Sequence, residues 1–127
     1  MNLSPVKINI NDHRKIFAIQ QDFNEAFPYL KLEFFKKSNS SGGQPGMKPV
    51  EDNKTIAECR TRHNNGTIEI SPNMTVADLE QYFADVFGIT VNVWRKSGKV
   101  WLETSVTEGW TLLEQNKQGE ALSSKAS

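Results

Sequence analysis

Two periodicities alternate along this chain, and their order limits the folds open to it. VKINI, residues 6–10, sets Val6, Ile8 and Ile10 on one side and Lys7 and Asn9 on the other. Apolar residues at every second position make a half-buried strand. The period then changes: Ile16, Ile19, Phe23 and Phe27 recur at the spacing that lines one face of a helix. Asn11 or Asp12 offers a side-chain oxygen to cap that helix, and Pro28 cannot continue it. Alternation returns in LKLEFF, with Leu30, Leu32 and Phe34 inward.

Shifted by 60 residues, the chain meets a similar pattern. INI at 8–10 falls on IEI at 68–70, and Ile16, Ile19, Phe23 and Phe27 fall on Val76, Leu79, Phe83 and Phe87. Two explanations stay open. Any two strand–helix–strand units share this periodicity, or one β-α-β unit is duplicated. With a hairpin after the second unit, either one predicts an α+β fold: a ferredoxin-like open sandwich, with a mostly antiparallel sheet of about five strands and the helices on one face.

Thr55–Glu58, Thr75–Asp78 and Thr111–Glu114 each place a hydroxyl three positions before a carboxylate, the pattern of a reciprocal helix cap. Helices are expected over 56–63, 76–87 and 112–118, closed by NNG, Gly88 and Gly119 in turn. The segment 36–53, rich in Gly, Ser, Asn and Pro, has no periodicity and reads as a flexible internal loop. The chain therefore reads as a single α+β domain over 1–119 with a disordered tail over 120–127.

Fifteen basic residues balance fifteen acidic ones, which argues against a sequence-independent grip on nucleic acid. Cys59 is the only cysteine, so no intramolecular disulfide forms. The first residues lack a signal-peptide core, and no stretch approaches the roughly 20 apolar residues that span a bilayer. A soluble, cytoplasmic protein with no membrane contact is expected.

VNVWRKSGKVWLETS, residues 91–105, reads as a hairpin. A two-residue turn at Ser97–Gly98 pairs Trp94 with Trp101, Val93 with Leu102 and Arg95 with Val100. Val91, Val93, Val100 and Leu102 then meet the helices, while Trp94 and Trp101 lie on the opposite face, flanked by Lys96 and Lys99. The pair stiffens an edge hairpin, or it forms a contact surface with Trp110 at its margin, since tryptophan is favoured at interface hot spots. A protein partner or a second copy fits that surface better than stacked bases.

CRTRH places Cys59 and His63 one helical turn apart, the proximity needed by a thiolate–imidazole pair or half a metal site. Arg60, Arg62 and His63 also make a small basic cluster that could hold an anion. Cys59 follows Ile56 by three, however, which suits a core position where a thiol acts as a small hydrophobe. No phosphate-binding glycine loop, nucleophile elbow or zinc-ligand set is present. No metal, cofactor or small-molecule ligand is indicated, and the balance falls on a non-enzymatic interaction or self-association module over an enzyme or a single-stranded nucleic-acid binder.

TVADLEQYFADVFGITVNVWRKSGKVWLETS, followed by TEGWTLLEQNKQG, resembles small uncharacterised bacterial proteins. These end in a similar Trp-bearing hairpin and a W-T-L-x-x-Q-N segment. The resemblance is strongest over 66–119 and implies no activity.

Overall fold

The computed structural model describes residues 4–38 and 46–124. Elements follow in the order β1 (Val6–Ile10), α1 (Ile16–Ala26), β2 (Leu30–Ser38), β3 (Gly46–Pro49), a 3₁₀ turn (Ile56–Cys59), β4 (Gly66–Ile70), α2 (Val76–Phe87), β5 (Thr90–Ser97), β6 (Val100–Glu103), a second 3₁₀ turn (Ser105–Thr107) and α3 (Leu112–Ser124). The chain is α+β, as its periodicities require. The described strands form two antiparallel sheets, β1–β4 and β3–β2–β5–β6, where one sheet of about five strands was expected. β1 and β2, consecutive about α1, lie in different sheets because each finds its partner in the second half of the chain: Ile8 faces Ile68 and Leu32 faces Val93.

The residues with strand and helix periodicity close one core. Ile8, Ile10, Ile68 and Ile70 meet Leu30, Leu32, Phe34, Val91 and Val93 and the stripes of α1 and α2. Phe34 and Phe83 contact edge to face, with ring centroids 6.2 Å apart. Burial of aromatic and branched side chains at about 1.5–3 kcal/mol each supplies the driving force.

α1 and α2 begin in the same way. The free N–H groups of Ile16 and Phe17 go to the carbonyls of Lys54 and Asp52. Those of Val76 and Ala77 go to Trp110 and Glu108. In return, Ile56 and Ala57 donate to Arg14 and Asp12, and Leu112 and Leu113 donate to Met74 and Pro72. This moves the start of α1 from the expected Asn11 or Asp12 cap to Ile16, because main-chain carbonyls satisfy its first turn. α2 adds the expected reciprocal cap, with Asp78 N–H donating to Thr75 Oγ1 at 3.0 Å.

Three further expectations change. The helix foreseen over 56–63 is a 3₁₀ turn of four residues; Arg60 is extended and its guanidinium is drawn inward. Gly46–Pro49, inside the segment read as a loop, pairs with β2 as β3, while 39–45 fall outside the described residues. α3 runs past Gly119 to Ser124. Gly119 sits mid-helix because a Cβ there would come within 2.7 Å of Tyr29 Cβ, so the helix lies against β2 and β5 only with glycine at the contact.

Candidate functional site

The hairpin turns at Gly98–Lys99, not at Ser97–Gly98. Gly98 has φ +63°, and no described residue other than glycine has a positive φ. A two-residue turn with positive φ only at its first position wants glycine there; the expected turn would have forced Ser97 into that region. The register therefore moves by two. Trp94 faces Glu103, Lys96 faces Trp101, Arg95 faces Leu102 and Ser97 faces Val100. An even shift keeps every side chain on its face, so Trp94, Lys96 and Trp101 still share one side of the sheet.

That side is built around a residue the sequence did not single out. Lys31 stands opposite Trp94 across β2–β5. Its Nζ lies 5.8 Å from the Trp94 ring and 5.0 Å from the Trp101 ring, and Lys96 Nζ lies 6.0 Å from Trp101. Glu33 holds Lys31 through an ion pair of 3.2 Å. Each cation over an indole contributes about 0.5–1 kcal/mol at such half-exposed sites. The tryptophans are thus stabilised as a lattice with lysines and do not stack directly across the hairpin. Lys31 was findable only from the β2–β5 register. Trp101 also forms one wall of a cleft of about 630 Å³ between α1 and β2. There Gln20 and Asn24 donate to the Leu32 and Leu30 carbonyls.

The opposite side of the hairpin differs from expectation. Val91 and Val93 are buried, but Val100 and Leu102 are 56% and 44% exposed, because β6 lies outboard of the helices. Trp110, 39% exposed, carries the Arg95 guanidinium 5.6 Å from its ring centroid. Arg95 belongs to the Leu102 face, so Trp110 borders the aliphatic side and not the Trp94/Trp101 side. α3 approaches β5 on that side too: buried Gln115 accepts from Arg95 Nη1 at 2.9 Å and donates to the Thr107 carbonyl at 2.8 Å. Lys99 is an exposed turn residue.

Cys59 and His63 are not brought together. The Cys59 thiol is buried and donates to the Ile56 carbonyl. Burial pushes it up to about 11, so little thiolate exists near neutral pH. His63 instead bonds through Nδ1 to Asp12 Oδ2 at 2.7 Å. Arg60 reaches the other Asp12 oxygen with Nε at 3.0 Å and Nη2 at 2.7 Å. Burial opposes ionisation of Asp12, but these hydrogen bonds outweigh it and hold the carboxyl below its ordinary value.

The basic cluster has a structural employment. The last carbonyls of a helix need donors from elsewhere. At the end of α2, Arg62 Nη2 serves Ala84 and Asp85, Asn64 serves Val86, and Arg60 Nη1 serves Phe87. The guanidiniums are spent on carbonyls and on Asp12, which leaves Arg60 nothing to offer an anion. Among the described residues no group of three or more His, Cys, Asp or Glu is placed to hold a metal. No helix of the described residues is long and apolar enough to cross a membrane. No protein-family model, no curated protein and no solved structure matches the chain.

Proposed function

We propose that this protein is a non-catalytic interaction module whose contact element is the β5–β6 hairpin, and that its ligand is protein. One observation carries the reading: a terminal sheet strand presents Val100 and Leu102 to solvent on one face and carries the half-buried Trp101 on the other. Apolar side chains on both faces of an outermost strand are costly in isolation and useful in a contact. The Lys31–Trp94–Trp101–Lys96 lattice supports it by holding one face rigid, so little side-chain entropy remains to be lost on binding. The inert Cys59 and the fully engaged Arg60 support a binding role over an enzymatic one. A cytoplasmic setting belongs to the same proposal, supported by the buried free thiol.

We also infer that the chain is built from two copies of one strand–helix–strand plan. The recurrence of the hydrogen bonds that open α1 and α2 supports this, as does the Ile8–Ile68 pairing at the offset of the sequence echo.

A photo-crosslinking amino acid placed at Leu102, with a control at exposed Lys7, tests the contact element in cells. Discrete polypeptide adducts from position 102 and none from position 7 are expected. Absence of adducts from position 102 would overturn the reading.

A further inference from the structure

The open edge of the hairpin is complementary to itself. β6 is the last strand of its sheet. The Thr104 N–H donates to the Val93 carbonyl, so Val93, Arg95 and Ser97 are the β5 residues whose main chains face β6. The alternate residues serve β2, as the Lys96 N–H does with Tyr29. Leu102 and Val100, opposite Arg95 and Ser97, therefore direct their main-chain groups to β5. Those of Trp101 and Glu103 point into the open edge.

Sheet edges are usually blunted by lysine, proline or a bulge. The other edge of this sheet has such devices, Lys48 and Pro49 in β3. β6 has none: it reads Val-Trp-Leu-Glu, preceded by Lys99 in the turn. Read in reverse, Lys-Val-Trp-Leu-Glu becomes Glu-Leu-Trp-Val-Lys. Aliphatic meets aliphatic and charge meets opposite charge about the central tryptophan.

We infer that β6 pairs antiparallel with β6 of a second copy of this chain, about a two-fold axis at Trp101, to make one continuous eight-stranded sheet. This inference rests on the hairpin being the contact element and names its partner. Trp101 meets Trp101 of the second copy as a hydrogen-bonded pair, which the outward direction of its main chain allows. Lys99 lies opposite Glu103 of the second copy at both ends. On one face Val100 and Leu102 of the two copies cover one another, and on the other the two indoles lie between the ion pairs. A slip of one residue would put the aliphatic residues on the wrong face; a slip of two would lose both charge matches. Such an isologous contact closes as a dimer and goes no further. Its short edge falls at the small end of stable interfaces, which places dissociation in roughly the micromolar range.

Sedimentation of the full chain across micromolar concentrations tests this, with Lys99→Glu and Glu103→Lys variants. Wild type is expected to pass from monomer to dimer. Each single variant sets like charges against each other at both ends and is expected to dissociate at least tenfold more readily. An equimolar mixture of the two variants restores both opposite-charge pairs and is expected to dimerise like wild type, which also shows that neither variant has misfolded. A monomeric wild type, single variants that dimerise unchanged, or a mixture that stays monomeric would each overturn the inference. If wild type is monomeric while position 102 crosslinks to a different polypeptide, the interaction reading survives and the second copy is excluded. If it is monomeric and position 102 crosslinks to nothing, both fail.

Discussion

Arg60 places two nitrogens on one oxygen of Asp12, at 3.0 and 2.7 Å, across 48 residues of chain. The guanidinium side chain has no exposure, and Asp12 is its counter-charge. Removing one partner of such a pair leaves a buried charge uncompensated, at a cost of about 3 kcal/mol. Asp12→Asn is expected to lower the unfolding free energy at neutral pH by that amount, read as a lower urea midpoint. The folded carboxyl titrates below its ordinary value, so its contribution is present above the unfolded value of about 4 and is lost as pH falls through the folded one. The gap between wild type and Asp12→Asn should therefore close in acid; a gap that persists there would exclude the charge as its cause.

Glu80 carries the opposite sign. Burial raises it first, and the neighbouring Glu108 and Glu103 add to the rise, against a hydrogen bond from Val93. A carboxyl raised in the folded state is penalised when ionised, so the penalty is full above the folded value and disappears below the unfolded one. Glu80→Gln keeps an acceptor for Val93 and removes the charge. It is expected to stabilise the protein near neutral pH by a small, solvent-screened amount, with no gain below about pH 4. Thermal melts at neutral and acid pH decide it, and a variant less stable at neutral pH would refute the account.

The periodic parts of this fold were legible because alternation and helical spacing depend only on local geometry: Ile8 and Ile10, Leu30, Leu32 and Phe34, and the stripes of α1 and α2 are all buried as their spacing required. Pairing was less legible, since nothing local tells β1 to leave β2 for β4. Which hairpin side chains share a side was legible, but Val100 and Leu102 do not meet the helices as expected, and the register depended on which turn position Gly98 would occupy. Arg60 and Arg62 looked like a free cluster because the α2 carbonyls they serve, those of Ala84, Asp85 and Phe87, lie more than twenty residues away. Asp12, the partner of His63, is 51 residues distant and left no local signal.

Gly119 was read as a helix stop and is a contact instead. Alanine is the better helix former by about 1 kcal/mol, so an exposed site would gain from the change. Here the new methyl would meet Tyr29 Cβ at 2.7 Å and Arg95 Cγ at 3.2 Å. Overpacking of this kind costs about 1–3 kcal/mol and outweighs the propensity. Gly119→Ala is expected to lower the melting temperature, and Gly119→Ala with Tyr29→Gly, which takes away the Tyr29 Cβ, to cost less than the sum of the two single changes. Simple additivity in that cycle would show that the close approach does not matter.

The Cys59 thiol, raised to about 11 by burial, should resist alkylation in the folded protein at neutral pH and react at once after unfolding. Labelling followed by mass spectrometry, with and without guanidinium, checks both halves. Rapid labelling of the native protein would return Cys59 to consideration as a reactive group.

Trp94 presents a different imbalance. Its Nε1 is buried with no hydrogen-bond partner among the described residues, although Lys31 stands over its ring. An orphaned donor costs about 1–3 kcal/mol. Trp94→Phe removes the donor and keeps an aromatic face for Lys31, so the lost area and the relieved penalty should nearly cancel, leaving a change within about 1 kcal/mol. Trp94→Ala removes the face as well and is expected to cost about 3 kcal/mol. Denaturant titration of the two variants separates the effects. If phenylalanine proves as damaging as alanine, the indole N–H is satisfied in solution and the imbalance is not real.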